Sequence, residues 1–596
     1  MLKKFLLNTL SSFVGTWIAI ILLGAVMVVA IFGIVGKLAL STAQEMPSVK
    51  KGSILQLTLD GPINETETPA EPDIQALMAG SLERPQTLDV IVEALREGAD
   101  NKNISALYIE CGNVAAAPAT LDAIRHAVVK FKESGKKVYA YGDNLSMGAY
   151  YVASCADRIY LNPGGQLTLN GISGEVLYMK ELFDNLGITF QVVKVGTFKS
   201  AVEPYIMNEM SEPARAQLDT LYGYMWNHIC KEISASRKGV SPALIDSLVN
   251  VRSISFAQPQ LAVKAGLVDS LIYGRQIQSR LADLCGREPD KLNMVAPQTL
   301  VSQTPWTDGY GSKNQIALLY ACGEIADGSD TQINYETLVP LIVKLSDDEN
   351  VKGMVLRVNS PGGSAFGSEQ IGEALDYFMS KGKTLSVSMG DYAASGGYWI
   401  SVGANRIFAD PLTITGSIGI FGMIPCASGL ASKIGVHPQS VSTNPEANFP
   451  SIFREMTPHQ LGAMQSYVDR GYEKFVGRVA KGRHMKVERV KQIAEGRVWS
   501  APSALKIGLV DSLAYLQDAI DWTASKAGVA DKYEVAVYPE FKPTFWNMLA
   551  SGGGTMRALA EYAMRPDATR MVEEYARKVI NKNKVQAKMI PVKVRL

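Results

Sequence analysis

The sequence predicts an α/β protein with two like domains in tandem, preceded by one apolar segment that is long enough to span a membrane. Short apolar runs rich in β-branched residues alternate with segments of helical periodicity, which is typical of parallel sheets with helical crossovers. Several motifs recur at one constant spacing, which indicates an internal repeat. The N-terminal apolar run carries no charge.

Length and composition limit the possible functions. The chain has 596 residues, which allows more than one domain. Its 59 Lys and Arg residues balance 58 Asp and Glu residues, so the sequence lacks the basic excess of a nucleic-acid-binding protein. The six cysteines form no CxxC pair and show no metal-ligand spacing with the five histidines. We therefore expect no metal, no cofactor and no nucleic-acid partner.

The N-terminus predicts a membrane anchor. Lys3 and Lys4 precede an uncharged run over residues 5–36, which is too long for the apolar region of a typical cleaved signal. No convincing small-residue cleavage site follows it, although a cleaved signal peptide is the alternative. The two lysines favour a cytoplasmic N-terminus. Residues 1–37 are thus expected to be a single-pass anchor and 38–51 a linker, with the rest of the chain across the membrane.

The next segment alternates between strand and helix patterns. Residues 54–59, 104–109 and 137–141 are short apolar runs of the kind found in strands. Residues 121–131 lie between two of them and place apolar side chains at helical spacing. This alternation predicts right-handed crossovers and a largely parallel sheet.

An internal repeat sets the predicted domain boundaries. Gly142-Asp143 returns as Gly390-Asp391, an offset of 248 (390 − 142). The same offset relates Tyr150-Tyr151, Ala156-Asp157-Arg158-Ile159 and Pro163 to Tyr398-Trp399, Ala404-Asn405-Arg406-Ile407 and Pro411. We therefore predict a first α/β repeat over 52–300 and a second over 312–540. Residues 541–596 match no motif and are treated as a C-terminal extension.

Ser395 is the candidate nucleophile. An apolar run over 384–389 predicts a buried strand, and Ser395 then lies among alanines and glycines before a helical pattern resumes. Such a tight turn would expose the hydroxyl and aim the amide of Gly396 at a developing oxyanion. The alternative is that the small residues only allow close packing of strand and helix. The first repeat has Met147 at this place (395 − 248).

A glycine pair strengthens this interpretation. The second repeat has Ser360-Pro361-Gly362-Gly363-Ser364 after a predicted strand, whereas the first has Cys111-Gly112-Asn113 in that region. Glycine permits conformations that bring backbone N–H groups close to a substrate carbonyl. Alone, Pro-Gly-Gly is an ordinary turn. Its occurrence together with Ser395 in only one repeat indicates an active site.

The candidate base is Lys199 of the first repeat. Among the histidines, only His437 follows a predicted strand, and it is the one competitor. Lys199 follows a strand-like run and has apolar neighbours, which would lower the pKa of its amine and make it available as a base. An ordinary surface lysine is the alternative. The second repeat has Ala447 at the equivalent place (199 + 248), so we expect one composite site shared between the repeats.

Four motifs together resemble the bacterial signal peptide peptidases of the long protease IV type. They are Met-Gly-Asp-Tyr-Ala-Ala-Ser-Gly-Gly-Tyr-Trp-Ile-Ser, Asn-Ser-Pro-Gly-Gly-Ser, Thr-Gly-Ser-Ile-Gly-Ile-Phe-Gly and Gly-Thr-Phe-Lys-Ser-Ala-Val-Glu-Pro. The resemblance covers nearly the whole chain after the apolar segment. It implies a Clp protease/crotonase-like fold and a Ser/Lys serine endopeptidase that digests signal peptides left after export. It also implies a homo-oligomer, a tetramer, anchored in the bacterial inner membrane with its catalytic domains on the periplasmic side.

The resemblance also implies roles for particular residues. Ser395 would be the nucleophile and Lys199 the general base, while Ser417 would hold the lysine amine by a hydrogen bond. The oxyanion-hole amides would come from Gly396 and from Gly363 or Gly362.

Two other classes of function remain open from the residues. A crotonase-like acyl-CoA enzyme would share the fold and the oxyanion amides, but it would need no serine–lysine pair and no exported domain. A catalytically inactive membrane scaffold would have little reason to keep Ser395, Lys199 and Pro-Gly-Gly together.

Overall fold

The structure is a computed structural model that describes residues 49–66, 86–301, 312–328 and 333–540. The predicted anchor, most of the linker and the C-terminal extension lie outside the described residues. Within the described ranges, no helix has the length and apolarity needed to cross a bilayer. The described residues all belong to one compact unit, which holds the described parts of both predicted repeats.

The strands of the described residues, in chain order, are β1 Ser53–Asn64, β2 Gln86–Thr87, β3 Ile104–Ala115, β4 Lys137–Gly142, β5 Arg158–Leu161, β6 Thr189–Val195, β7 Ser270–Leu271, β8 Met294–Val295, β9 Gln315–Cys322, β10 Val351–Ser360, β11 Thr384–Ala394, β12 Arg406–Ala409, β13 Ile414–Gly416, β14 Ile420–Cys426, β15 Val498–Ser500, β16 Ser512–Leu513 and β17 Glu534–Tyr538.

The α-helices of the same residues are α1 Leu88–Asp100, α2 Pro118–Glu133, α3 Met147–Ala153, α4 Lys180–Leu186, α5 Glu203–Ile206, α6 Glu212–Ser236, α7 Pro242–Asn250, α8 Pro259–Lys264, α9 Gly274–Cys285, α10 Pro297–Val301, α11 Tyr335–Asp347, α12 Ala365–Ser380, α13 Gly396–Ser401, α14 Ser428–Lys433, α15 Pro458–Gly482, α16 Val487–Ile493, α17 Ala501–Lys506 and α18 Leu516–Lys526. Short 3₁₀ helices cover Ser200–Val202, Ile254–Phe256 and Pro289–Lys291.

The first sheet is parallel throughout the described residues, with the order β2-β1-β3-β4-β5-β7 and β8 beside β1. The predicted strands at 54–59, 104–109 and 137–141 are confirmed as β1, β3 and β4. The helix predicted over 121–131 is also confirmed, because it lies inside α2. Strands of this sheet are buried on both faces, which explains why their sequences are nearly continuous apolar runs.

The second sheet repeats this arrangement. Its strands β9-β10-β11-β12-β16 follow the same relative order as β1-β3-β4-β5-β7, and all of these pairs are parallel. Strand β13 adds to the far end of β11 and pairs antiparallel with β15. Each repeat has its own apolar core, built around side chains such as Ile124 and Phe131 in the first and Leu356 and Phe378 in the second.

A third, two-stranded sheet joins the repeats. Strand β6 of the first repeat pairs antiparallel with β14 of the second, and Val195 lies opposite Ile420. Because β6 leads directly into the segment that carries Lys199, this pairing brings the first repeat's candidate base to the second repeat.

Buried polar contacts also cross the boundary. The backbone N–H and the hydroxyl of Thr120 donate to the Asp391 carboxylate at 2.9 and 2.8 Å. The Arg357 guanidinium, which is buried, lies 2.7 Å from Glu65 of the first repeat and 3.2 Å from Asp410. A buried charge that loses its partner is strongly destabilising, so these bonds hold the two repeats in one relative position.

Candidate active site

Ser395 lies at a strained turn between β11 and α13. Its φ of 55° and ψ of −117° are outside the regions that residues with side chains favour. The turn is held by two backbone hydrogen bonds, from Ser395 N to Gly416 O at 2.8 Å and from Trp399 N to Ser395 O at 2.9 Å. The Ser395 hydroxyl does not cap the following helix, so it is available for another partner.

That partner is the amine of Lys199. Its Nζ lies 3.1 Å from Ser395 Oγ, although the two residues are 196 positions apart in the chain. The amine also lies 3.0 Å from Ser417 Oγ and 3.2 Å from Ser417 O. These distances are hydrogen bonds by ordinary criteria. A neutral amine can donate its two hydrogens to Ser417 and accept the hydroxyl proton of Ser395 with its lone pair.

Burial changes the acidity of this amine. The Lys199 side chain is only 5% exposed, and burial lowers its pKa to about 8. Desolvation disfavours the charged ammonium form, and no neighbouring charge contributes to the shift. The ring of Phe421 lies 6.0 Å from the amine and forms part of its apolar surroundings. A substantial neutral fraction near physiological pH makes this lysine suitable as a general base.

Ser417 is held by the same strands that carry the nucleophile. It follows β13, which pairs with the end of β11. Its φ of 50° is again in the left-handed region, and its N–H donates to Arg497 O at 2.7 Å. Ser417 therefore presents both its hydroxyl and its carbonyl to one amine.

The Pro-Gly-Gly loop passes directly beside Ser395. Gly362 and Gly363 have φ values of 106° and 144°, which glycine adopts readily. A Cβ on Gly362 would lie 2.7 Å from Ser395 Cβ, and a Cβ on Gly363 would lie 2.1 Å from Ile325 O. Both positions therefore require glycine for close approach as well as for conformation.

The two glycine amides of this loop differ in their partners. Gly362 N–H donates to Ser360 Oγ at 3.2 Å. By contrast, the N–H groups of Gly363 and Gly396 have no acceptor among the described residues. A Cβ built on Gly396 would lie 3.3 Å from Gly363 N, so these two amides are close together. The geometry favours Gly396 and Gly363 over Gly362 as donors to an oxyanion.

The other sequence candidates lie elsewhere. His437 is exposed, and within the described residues no histidine is hydrogen-bonded to Ser395. Met147 begins α3 and packs against the core of the first repeat. Ala447 lies exposed in a loop.

Two polar residues beside the site had no predicted role. The Asn359 side chain donates to Asp391 at 3.0 Å and accepts from the backbone N–H of Tyr392 at 3.1 Å. Both residues lie within motifs of the sequence, Asn-Ser-Pro-Gly-Gly and Met-Gly-Asp-Tyr, which is the signal that could have indicated them. Their partners in the first repeat, Thr120 and Glu65, carry no comparable motif.

Comparisons with known proteins agree with this geometry. The sequence model of peptidase family S49 matches residues 130–287 and 377–530, once in each repeat. Protease 4 of Haemophilus influenzae is 37% identical over 485 residues, covering 79% of this chain and 78% of that protein. Protease 4 of Salmonella typhi is 37% identical over 489 residues, covering 80% and 77%. The chloroplastic serine protease SPPA of Arabidopsis thaliana is 26% identical over 509 residues, covering 83% and 72%.

Among solved structures, a ClpP1 mutant from Listeria monocytogenes matches with a TM-score of 0.24 and 14% identity, over 34% of this chain and 94% of that one. This likeness is too slight to support any conclusion.

The α/β fold and the family match define a serine peptidase, and the chain belongs to peptidase family S49. The similarity to two Protease 4 sequences along most of the chain confirms the predicted resemblance to the long type of signal peptide peptidase. Neither an acyl-CoA enzyme nor an inactive scaffold finds support among these relatives.

Proposed function

We propose that Ser395 and Lys199 form the catalytic dyad of an endopeptidase that degrades cleaved signal peptides and other apolar peptides at the membrane. The observation that carries this proposal is the 3.1 Å contact between a serine hydroxyl and a buried amine, contributed by different repeats. Membership of family S49 supports the same chemistry.

The reaction needs only the side chains and amides of this site. Neutral Lys199 takes the hydroxyl proton as Ser395 Oγ attacks the peptide carbonyl carbon. The resulting oxyanion accepts hydrogen bonds from the N–H groups of Gly396 and Gly363. The Lys199 ammonium then protonates the departing amine as the C–N bond breaks. A water molecule, deprotonated by the same lysine, hydrolyses the acyl-enzyme and regenerates Ser395.

Ser417 positions the lysine in this scheme. By accepting two hydrogen bonds from the amine, it directs the lone pair of Lys199 toward the Ser395 hydroxyl. The apolar surroundings suit apolar substrates, because Phe421 leaves 39% of its surface exposed next to the amine. A substrate side chain that covered this ring would also keep water away from the lysine.

The cellular setting is part of the proposal. The apolar run over residues 5–36 and its flanking lysines support a single-pass anchor in the bacterial inner membrane, with the peptidase on the periplasmic side. The resemblance to the long protease IV type supports a homotetramer and a Clp protease/crotonase-like fold. The repeated strand order and the two family matches support an origin of the two repeats by duplication.

A serine-directed fluorophosphonate label tests the dyad. Located by mass spectrometry, the label should appear on Ser395 of the wild type and be absent from Ser395→Ala. Labelling of Ser395 should fall sharply in Lys199→Ala, because the hydroxyl then lacks its base. Lys194→Ala, which removes a lysine of the adjoining strand β6, is the matched control and should label normally. Equal labelling in Lys199→Ala, or a label on another serine, would contradict the assignment.

A further inference from the structure

Lys199 belongs to a short segment that packs tightly against the second repeat. We call residues 196–200 the lysine loop and residues 495–498 the bridging segment. Phe198 N–H of the loop donates to Glu495 O at 2.9 Å. A Cβ on Gly196 would lie 2.5 Å from Glu495 O, and a Cβ on Gly496 would lie 2.7 Å from Lys199 Cβ. The two backbones are therefore in direct contact beside the lysine.

The bridging segment also contacts Ser417, which binds the Lys199 amine, and the next residue, Ile418. Its Arg497 O accepts from Ser417 N–H at 2.7 Å, and Gly496 N–H donates to Ile418 O at 2.9 Å. One side of the bridging segment thus holds the lysine loop, and the other side holds Ser417. The separation between Lys199 and Ser417 depends on this segment.

The buried side chain of Gln217 hydrogen-bonds both the lysine loop and the bridging segment. This residue lies on α6 and is only 5% exposed. Its Nε2 donates to Phe198 O at 3.4 Å and to Ser200 Oγ at 3.3 Å, the residues on either side of Lys199. Its Oε1 accepts from Val498 N–H at 3.2 Å. A single buried amide therefore binds both the lysine loop and the bridging segment.

Glu495 hydrogen-bonds the lysine loop on its solvent-facing side. Its Oε2 accepts from the backbone N–H of Thr197 at 3.0 Å and from the Thr197 hydroxyl at 3.2 Å. Glu495 is half-buried and has a φ of 54°, in the left-handed region that a residue with a side chain adopts only when its surroundings hold it there.

We propose that Gln217 and Glu495 form a clamp that positions the Lys199 amine against Ser395. The proposal rests on the catalytic roles proposed above, and it makes both residues positioning residues that touch neither substrate nor the reacting atoms. Proton transfer requires hydrogen-bond distance between base and hydroxyl, and Lys199 reaches Ser395 only through contacts between the repeats. A clamp at the base of the lysine side chain maintains that distance.

The clamp acts through geometry rather than charge. The Glu495 carboxylate is engaged by Thr197, and the Arg497 guanidinium lies over the rings of Phe198 and Trp499 at 5.0 and 4.3 Å. Behind the loop, Glu203 accepts from the hydroxyl and backbone N–H of Ser211. Because burial lowers the pKa of Lys199, a loosened loop that admits water should raise that pKa toward its ordinary value. Loss of the clamp should therefore lower kcat and also raise the midpoint of the pH–rate profile.

Gln217→Met is the principal test. Methionine keeps the length and apolar volume of the side chain but removes its three hydrogen bonds. We expect kcat to fall about 10- to 100-fold, because a displacement of about 1 Å can cost that much, with little change in KM. The midpoint of the pH–rate profile should rise.

Gln465→Met is the matched control. Gln465 lies on α15 and donates to Lys194 O at 3.4 Å, so it also joins the two repeats, but away from the lysine loop. This variant should keep the wild-type kcat and pH midpoint.

Substitutions at Glu495 test the clamp independently of Gln217. Glu495→Ala should cause the same changes with smaller size, because its hydrogen bonds to Thr197 are exposed to solvent. Glu495→Gln should restore most of the loss, since its amide oxygen can accept both bonds. Thermal unfolding of each variant separates a local effect from a loss of fold. If Gln217→Met does not fold, the Glu495 pair decides the question.

The outcomes that would contradict the clamp can be told apart from those that would contradict the proposed function. Wild-type kcat and pH midpoint in both Gln217→Met and Glu495→Ala would overturn the clamp, as would an equal loss in Gln465→Met. Lys199→Ala is measured in parallel. If Lys199→Ala is inactive while the clamp variants are normal, only the clamp is wrong. If Lys199→Ala keeps its turnover, the proposed function fails and the clamp fails with it.

Discussion

The strand-to-helix turns of the two repeats each carry a serine, but the two serines stand one position apart in the repeat. In the first repeat, Ser146 has φ −64° and ψ 155°, and its Oγ accepts from Ala149 N at 3.4 Å and donates to Gly112 O at 2.9 Å. In the second repeat, Ser395 has φ 55° and leaves its helix without a side-chain cap. Its hydroxyl lies against Lys199 instead. The first repeat has Met147 at the place of Ser395, so the two repeats differ in where the serine stands as well as in its backbone conformation.

The loops next to these turns show a second contrast. In the first repeat, Asp60 Oδ1 accepts from Asn113 N–H at 2.8 Å, and a Cβ on Gly112 would lie only 2.6 Å from the same carboxylate oxygen. In the second repeat, the amide of Gly363 has no acceptor among the described residues. Because the Asp60 carboxylate already accepts from the Asn113 amide, its negative charge would repel an oxyanion at that place. The first repeat therefore lacks a free amide at this loop as well as a serine at the place of Ser395, the two features on which the proposed mechanism depends.

Removing either member of the proposed dyad should have the largest effect on the rate of peptide hydrolysis. Ser395→Ala and Lys199→Ala should each lower peptide hydrolysis about 10⁴-fold or more, and the double variant should lose little further, because the pair acts as a unit. Ser146→Ala is the control in the other repeat. It should cost about 0.5–2 kcal/mol of stability through the lost cap and leave turnover unchanged. Turnover in Lys199→Ala close to wild type, with loss in His437→Ala, would mean that the base is misassigned.

The pH dependence should show a smaller, graded effect. In the proposed mechanism the neutral form of Lys199 is the base, and burial lowers its pKa to about 8, so kcat/KM should rise with pH and reach half its maximum near that value. Well below the midpoint, activity should change about tenfold per pH unit. The measurement is a pH–rate profile from acid to alkaline pH. A midpoint near the usual histidine value of about 6.5, abolished in His437→Ala, would contradict the lysine base.

The smallest effect is expected when a serine is restored to the first repeat. Met147→Ser in a Ser395→Ala background should produce no hydrolysis above the Ser395→Ala baseline. Position 147 begins a helix that Ser146 caps in the ordinary way. The nearby Asn113 amide already donates to Asp60, and Lys199 is hydrogen-bonded to Ser417 in the second repeat. Replacing a methionine that packs against the core should lower stability modestly. New activity together with fluorophosphonate labelling at residue 147 would show that the first repeat is a competent site.

Much of the architecture could be predicted because it is encoded locally. Strands β1, β3, β4 and β11 appear where β-branched apolar runs predict them, since such runs bury well in a parallel sheet. The constant offset of 248 predicts two like halves, and the structure has one sheet order in both. Ser395 and Lys199 could be selected because each is absent from the corresponding place in the other repeat.

The direction of each functional group could not be predicted in this way. The sequence left Gly362 open as an alternative to Gly363, and the two are told apart by Ser360 Oγ, which accepts from Gly362 N–H. Gln217 had no signal at all, since an amide on a long amphipathic helix has no motif. Its partners on either side of Lys199 and at Val498 are recognisable only after the repeats have packed.

The α/β class, the two repeats and the candidate site residues follow from the sequence, because apolar periodicity and short motifs express local physical preferences. The packing of the two repeats brings a lysine and a serine 196 positions apart to 3.1 Å and places Ser417 Oγ 3.0 Å from the same amine. Such contacts depend on the pairing of β6 with β14 and on buried bonds across the boundary. No local pattern specifies the distance between two side chains that lie in different repeats.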